Sequence, residues 1–134
     1  MTHSAIQQYR RMDTCGVVET ANPHKLIELL FGGLKDALNG VNRAIESGNM
    51  ADKAMALGKS LDVLQTLQMS LDPEGGGSIA SNLKRLYDYM ERRLTEANLH
   101  NDVMAVEELL DLAETLRVAW DSIPADHHQG PMAA

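Results

Sequence analysis

The apolar residues of this chain predict an all-α fold, an antiparallel up-down four-helix bundle preceded by an N-terminal arm. Two observations carry the prediction: four successive segments repeat apolar residues every three to four positions, and strand alternation appears nowhere with comparable strength. A third agrees with them. The four prolines, Pro23, Pro73, Pro124 and Pro131, all fall where a periodic segment starts or stops, which is where a missing N–H does least harm. Segments of about 20 to 25 residues make rods roughly 30 to 37 Å long, and short connections between them favour antiparallel neighbours.

The elements follow in order. Asn22-Pro23 reads as an N-cap with proline at the first helical position, ahead of Leu26, Leu30, Leu34, Ala37, Val41 and Ile45. Gly48 supplies a stop. A second stripe, Met50, Ala54, Leu57, Leu61, Leu64, Leu67 and Leu71, runs to Asp72-Pro73 and the loop Glu74-Gly75-Gly76-Gly77. Ser78 is the expected cap of a third helix with Leu83, Leu86, Tyr87, Met90, Leu94 and Ala97 inward, ending at His100-Asn101. Asn101-Asp102 opens the fourth, whose inward residues are Val103, Val106, Leu109, Leu110, Ala113, Leu116 and Trp120, before Ile123-Pro124 ends it. The expected organisation is an arm over residues 1–21, a bundle over 22–123 and a disordered tail over 124–134. The arm carries Ile6, Tyr9, Met12, Val17 and Val18 in a polar context, enough to dock on a bundle and too little for a core of its own.

Composition excludes several functions. A chain of 134 residues with 44% apolar and 23% charged residues has the makeup of one folded domain. Its formal charge of -7 opposes phosphate backbones and anionic lipid, so neither nucleic acid nor membrane insertion is expected. Cys15 stands alone, without an internal disulfide partner or a C-x-x-C zinc spacing. That suits a reducing compartment, and with no apolar leader the expected location is the cytoplasm.

The search for chemistry is also negative. A di-iron bundle needs Glu-x-x-His pairs from two helices, and the sequence offers only Glu96 and His100, four apart on one helix. His24 and His100 fall at helix ends, not mid-helix where a phosphotransfer histidine belongs. Gly75-Gly76-Gly77 lacks both the following Gly-Lys-Ser/Thr and the preceding strand of a phosphate loop. Glu107, Glu108, Asp111 and Glu114 lie largely opposite the apolar face of the last helix, as solvated carboxylates do. No catalytic residue, cofactor, metal site or small-molecule substrate is expected.

Two features leave alternatives open. Gly32, Gly33 and Gly40 within the first helix each cost about 1 kcal/mol relative to alanine, a cost offset either by close helix packing or by a surface left flat for a ligand. In the second helix Met55, Ala56, Val63 and Met69 lie off the main stripe, so its apolar arc is either core against two neighbours or a groove for a client. Eight methionines suit irregular cores and adaptable binding surfaces alike. Arg92-Arg93 reads as a solvated face, with Arg93 the candidate to serve a partner.

Local strings carry more. Glu19-Thr20-Ala21-Asn22-Pro23-His24-Lys25-Leu26-Ile27-Glu28-Leu29-Leu30-Phe31-Gly32-Gly33 resembles the opening V-x-T-A-S/N-P-x-x-L-I-x-x-L-Y-x-G pattern of the flagellar secretion chaperone family, FliS. A second block is similar to the same family: Ser70-Leu71-Asp72 and the glycines, then Ile79-Ala80-Ser81-Asn82-Leu83 and Leu86-Tyr87-Asp88-Tyr89-Met90 through Asn98. Phe31 and Gly32 depart from the tyrosine and acidic residue usual there. With Ala119-Trp120 the likeness spans about residues 6 to 121.

The resemblance implies a chaperone, not an enzyme, that holds the C-terminal segment of unassembled flagellin in the cytoplasm and prevents premature polymerisation until type III export. A component of the flagellar export gate is the candidate second partner. The client groove is expected along helices two and three, at Leu64, Leu67, Leu71, Tyr87, Met90, Arg93, Leu94 and Asn98. Ile6 and Tyr9 are expected to occupy that groove as an autoinhibitory arm until flagellin displaces them. The competing expectation is a structural helical protein that buries its wide apolar arcs against copies of itself.

Overall fold

Each apolar stripe becomes one helix in the computed structural model, which describes residues 23–72 and 74–123. They are α1 (Pro23–Ser47), α2 (Met50–Met69), α3 (Gly77–His100) and α4 (Val103–Asp121), with no strand among the described residues. The expected arm, Cys15, Pro73 and the tail lie outside them. Each helix packs on its neighbours in sequence and α4 closes the ring against α1, which is the square of an up-down bundle. The most extensive interfaces are those of α1 with α2 and α4.

Short side chains set the boundaries. α1 begins at Pro23, the position where proline's fixed φ suits a helix and its missing N–H would have had no partner. Gly48 takes a φ of 72° to reverse the chain, and Asn49 then caps α2 by accepting the Asp52 N–H at 3.0 Å. α2 stops at Met69, two residues before the expected Leu71, because the Ser70 N–H turns back to the Thr66 and Leu67 carbonyls. The expected Ser78 cap is not used. α3 already starts at Gly77, since Asp72 gathers the N–H groups of Glu74 and Gly75 and its carbonyl takes that of Gly76, and Gly77 can adopt a φ of 56°. Asn101, left-handed at φ 49°, ends α3, and Asp102 immediately caps α4 through the Ala105 N–H at 3.2 Å.

The core is continuous through the bundle. Ile27, Leu30, Phe31, Leu34, Leu38 and Val41 of α1 meet Leu57, Val63, Leu64 and Leu67 of α2, Tyr87, Met90 and Leu94 of α3, and Val106, Leu109, Ala113 and Trp120 of α4. Burying each large side chain stabilises the fold by about 1.5 to 3 kcal/mol. In α2 the expected stripe is displaced at its start: Met50 and Ala54 are exposed, while Lys53, Ser60 and Thr66 are buried. Ser60 and Thr66 can go inside because their hydroxyls donate to the Ala56 and Asp62 carbonyls at 2.8 Å each.

Two polar contacts pin the ends. At one, the Lys53 ammonium donates to the Asn98 carbonyl at 3.3 Å and to Asn101 Oδ1 at 2.8 Å, so a cation covers the negative end of α3. At the other, Trp120 Nε1 donates to the His24 carbonyl at 2.8 Å and its ring stacks on the His24 imidazole with centroids 5.2 Å apart. Lys35 on α1 reaches Glu114 on α4 at 2.6 Å between these ends.

The three glycines of α1 divide. A Cβ on Gly40 would meet the Ala56 side chain at 3.3 Å, so close packing of α1 on α2 accounts for this glycine. Gly33 is buried. Gly32 has nothing within 4 Å of an added Cβ.

Gly32→Ala therefore gains helix propensity without a clash and is expected to raise stability by about 0.5 to 1 kcal/mol in urea unfolding. Lys53→Met is expected to lower it by about 1 to 3 kcal/mol in the same measurement, since a charge-assisted pair of hydrogen bonds at a buried helix end is lost.

Candidate functional site

The α2–α3 face, where the client groove is expected, is built from three layers. Its floor is apolar. Leu64 and Leu67 of α2 and Tyr87, Met90 and Leu94 of α3 are each no more than 1% exposed and belong to the continuous core. These five expected contact residues are therefore sealed, because helical spacing turns all of them to the inside of the bundle.

Above the floor a polar latch crosses the seam. Gln68 Nε2 donates to Asp88 Oδ1 at 2.9 Å and reaches Glu91 Oε2 at 3.4 Å, and Lys84 pairs with Asp88 at 3.3 Å. The Gln68 and Lys84 hydrogen bonds lower the Asp88 carboxyl below its ordinary range. Glu91 moves the other way, raised first by burial and then by the neighbouring Asp88 charge. Sequence reasoning missed this latch. Its members read as solvated helix residues, and nothing local says which of them face each other across two helices.

The third layer is an opening. Where α2 ends and α3 begins, a recess of about 440 Å³ is lined by Gln68, Met69, Leu71, Gly77, Ala80, Ser81 and Lys84. Leu71 is half-buried at its wall and Met69 is 66% exposed at its rim. It exists because α2 stops at Met69 and the glycines after it carry no side chains to fill the corner.

Leu71, Arg93 and Asn98, the other expected contact residues, are accessible but not brought together. Leu71 lies at the recess, whereas Asn98 is exposed at the far end of α3, about 27 Å of helix from Ala80, with its carbonyl held by Lys53. Arg93 faces α4, where its guanidinium donates to Glu108 at 2.6 Å and to Glu96 at 3.1 Å. Glu108 also accepts from the Tyr89 hydroxyl, and these two donors hold its carboxyl below the usual range.

Tyr87 stands out within the floor. Its ring is fully buried, its hydroxyl has no hydrogen-bond partner, and desolvation pushes its pKa well above the ordinary tyrosine value. The wide apolar arc of α2 resolves into two populations: Val63 is core and Ala56 half-buried, but Met55 is 74% and Met69 66% exposed. Among the described residues no group of three or more histidine, cysteine, aspartate or glutamate side chains converges on a metal-sized point, and no helix is long and apolar enough to cross a membrane.

Comparison with known proteins agrees with this architecture. The family model for flagellar protein FliS matches residues 4–127. The chain is 42% identical over 123 residues to the flagellar secretion chaperone FliS of Salmonella typhimurium, covering 91% of each chain. It is 34% identical over 124 residues to the chaperone of that name from Vibrio cholerae, covering 92% of this chain and 91% of the relative. With the flagellar secretion chaperone FliSB of Pseudomonas aeruginosa it shares 38% identity over 119 residues, 89% of this chain and 94% of the other. Matched along nearly its whole length, this four-helix chain belongs to the FliS family, whose members are chaperones and not enzymes.

Proposed function

We propose that this bundle holds the C-terminal segment of unassembled flagellin in the cytoplasm, blocks its premature polymerisation and keeps it competent for export through the flagellar type III system. The observation that carries the reading is the recess between α2 and α3, an apolar opening beside the core of a chain whose relatives are named flagellar secretion chaperones. A flagellin chain end is amphipathic and prone to aggregate when free. Laying its apolar face into a recess between helices satisfies that face and blocks assembly by occupancy.

Leu71 is the first contact of the incoming segment and Asn98 a contact further along α3; Arg93, turned toward α4, meets the part of the segment that passes over α3. Deeper engagement needs the Gln68 latch to part, which uncovers Leu64, Leu67, Tyr87, Met90 and Leu94 and offers the Tyr87 hydroxyl a partner it lacks in the closed bundle. The acidic Asp88 and Glu91 at the latch suit a client with a donor beside its apolar face. Because the client orders on binding, about 2 to 5 kcal/mol of the gross contact energy is lost, which leaves an affinity compatible with release. Nucleotide hydrolysis is not needed for that. The loaded bundle would then meet a component of the export gate.

The arm completes the reading. Ile6 and Tyr9 supply the two apolar anchors of an internal competitor, which occupies the same opening until flagellin displaces it. An occupant covalently attached to the bundle has a high effective concentration and needs little intrinsic affinity.

Calorimetric titration with a flagellin C-terminal peptide is expected to give a one-to-one complex, weakened about tenfold by Leu71→Asp. Absence of heat together with self-association in light scattering would instead favour a structural protein. Deleting residues 1–12 is expected to tighten peptide binding; an unchanged or weaker affinity sinks the competitor role of Ile6 and Tyr9.

A further inference from the structure

A groove of about 450 Å³ lies on the α1 side of α2 and the recess on its α3 side, and the two share no lining residue. The floor of the groove is Ala37, Gly40, Ala44 and Ala56, all buried or half-buried. Four charged side chains stand around it, Asp36 and Arg43 from α1, Asp52 and Lys59 from α2. All four are exposed, and none enters an ion pair among the described residues. The register of the two antiparallel helices fixes where they stand. A Cβ on Gly40 would meet the Ala56 side chain at 3.3 Å, so positions 40 and 56 are level. At about 1.5 Å per residue, Asp36 and Lys59 then lie about 4 to 6 Å to one side of that level, and Arg43 and Asp52 as far to the other. The charges therefore mark the corners of a rectangle, minus then plus along α1 and plus then minus beside it along α2. Met55, 74% exposed, is within one residue of the central level.

A rectangle of alternating signs has no net charge, so it draws in neither an acidic nor a basic partner as a whole, but it is complementary to its own image. Turning a second copy by 180° about an axis along the groove lays α1 of each copy over α2 of the other with the levels kept. Asp36 then faces Lys59 and Arg43 faces Asp52, each pair twice. Met55 of each copy comes over Gly40 of the other, where the missing side chain leaves a notch for it. An axis across the groove also opposes unlike charges, but it sets Met55 on Met55 and Gly40 on Gly40, a knob on a knob and a hole on a hole. The next charges along the helices, Glu46 and Asp62, come level with uncharged positions near Met50 and Leu34 and meet no like charge. We propose that two copies of this chain dock through their α1–α2 grooves about a twofold axis along the groove, with reciprocal Asp36–Lys59 and Arg43–Asp52 pairs around the two Met55–Gly40 contacts. Two helices about 30 Å long and about 10 Å wide cover about 600 Å² on each copy, the lower end of what specific interfaces bury, which suits a dimer of micromolar affinity. No residue of the α2–α3 recess belongs to the docked face, so each copy keeps its recess for a client.

Sedimentation equilibrium of the full chain is the test. Between about 1 and 200 μM the mass is expected to rise from one chain toward two, and about 1 M salt to suppress the rise, since it cuts the screening length to about 3 Å. Arg43→Glu and Asp52→Arg are each expected to weaken association about tenfold or more, because each sets like charges together twice, and Met55→Ala to weaken it about tenfold. Mixed in equal amounts, the two charge variants are expected to associate again: the introduced glutamate of one faces the introduced arginine of the other, and the native Arg43–Asp52 pair remains on the other side of the axis. Variants that had merely lost their fold would not recover on mixing. An axis across the groove gives no recovery, because the introduced glutamate then faces Asp36. Flagellin C-terminal peptide is expected to bind Arg43→Glu as tightly as the unaltered chain. A chain that stays monomeric to about 200 μM, association unmoved by either charge substitution, or variants that stay apart when mixed overturns the proposal. So does weakened binding of flagellin peptide to Arg43→Glu, which assigns this face to the client.

Discussion

The apolar face of α1 from Ile27 to Val41 is in contact with the rest of the core along its whole length, and its six largest members are at most 1% exposed. Because α1 packs most extensively on α2 and α4, these two are held as a firm scaffold and α3 closes the square with smaller interfaces. A bundle with one lightly held helix can part along that helix without surrendering the interfaces that keep it folded, since local openings draw on the least buried contacts.

The polar contacts are distributed to match. α1 and α4 are joined by the stacked His24 and Trp120 and by the Lys35–Glu114 pair. α3 is anchored at its C-terminal end, where the Lys53 ammonium covers its last carbonyls, and along α4 by Arg93 and Tyr89 on Glu108. Its middle meets α2 through the hydrogen bonds of one glutamine, Gln68, to the Asp88 and Glu91 carboxylates. The recess at the α2–α3 corner therefore lies at the least extensive interface between neighbouring helices.

An unpartnered hydroxyl lies under that corner. Burying a tyrosine oxygen without a partner costs stability that a phenylalanine would not, so Tyr87 carries an uncompensated polar group beneath the latch. Its burial marks the division in the α2–α3 face: Met69 and Leu71 are accessible at the opening, whereas Leu64, Leu67, Tyr87, Met90 and Leu94 lie in the sealed floor.

The amphipathic periods, the prolines and the Asn49 and Asp102 caps determined the helices locally, because hydrogen-bond capping and the 3.6-residue repeat involve neighbours in the chain. The four elements, their order and the family strings were legible for the same reason. The α3 start was not: Gly77, freed by its lack of a Cβ, outcompeted Ser78 once Asp72 had organised the turn. Nor was the division of apolar residues. Leu64 and Leu71 look alike in a stripe, yet one is sealed and the other half-open, because burial depends on where α2 stops relative to α3. Lys53 is the reverse case, a charge inside an apolar stripe that becomes structural only when a helix end from 45 residues away presents its carbonyl. Which face turns inward, which carboxylates meet a donor and where an opening remains are set by contacts between distant segments, and those only the packed bundle decides.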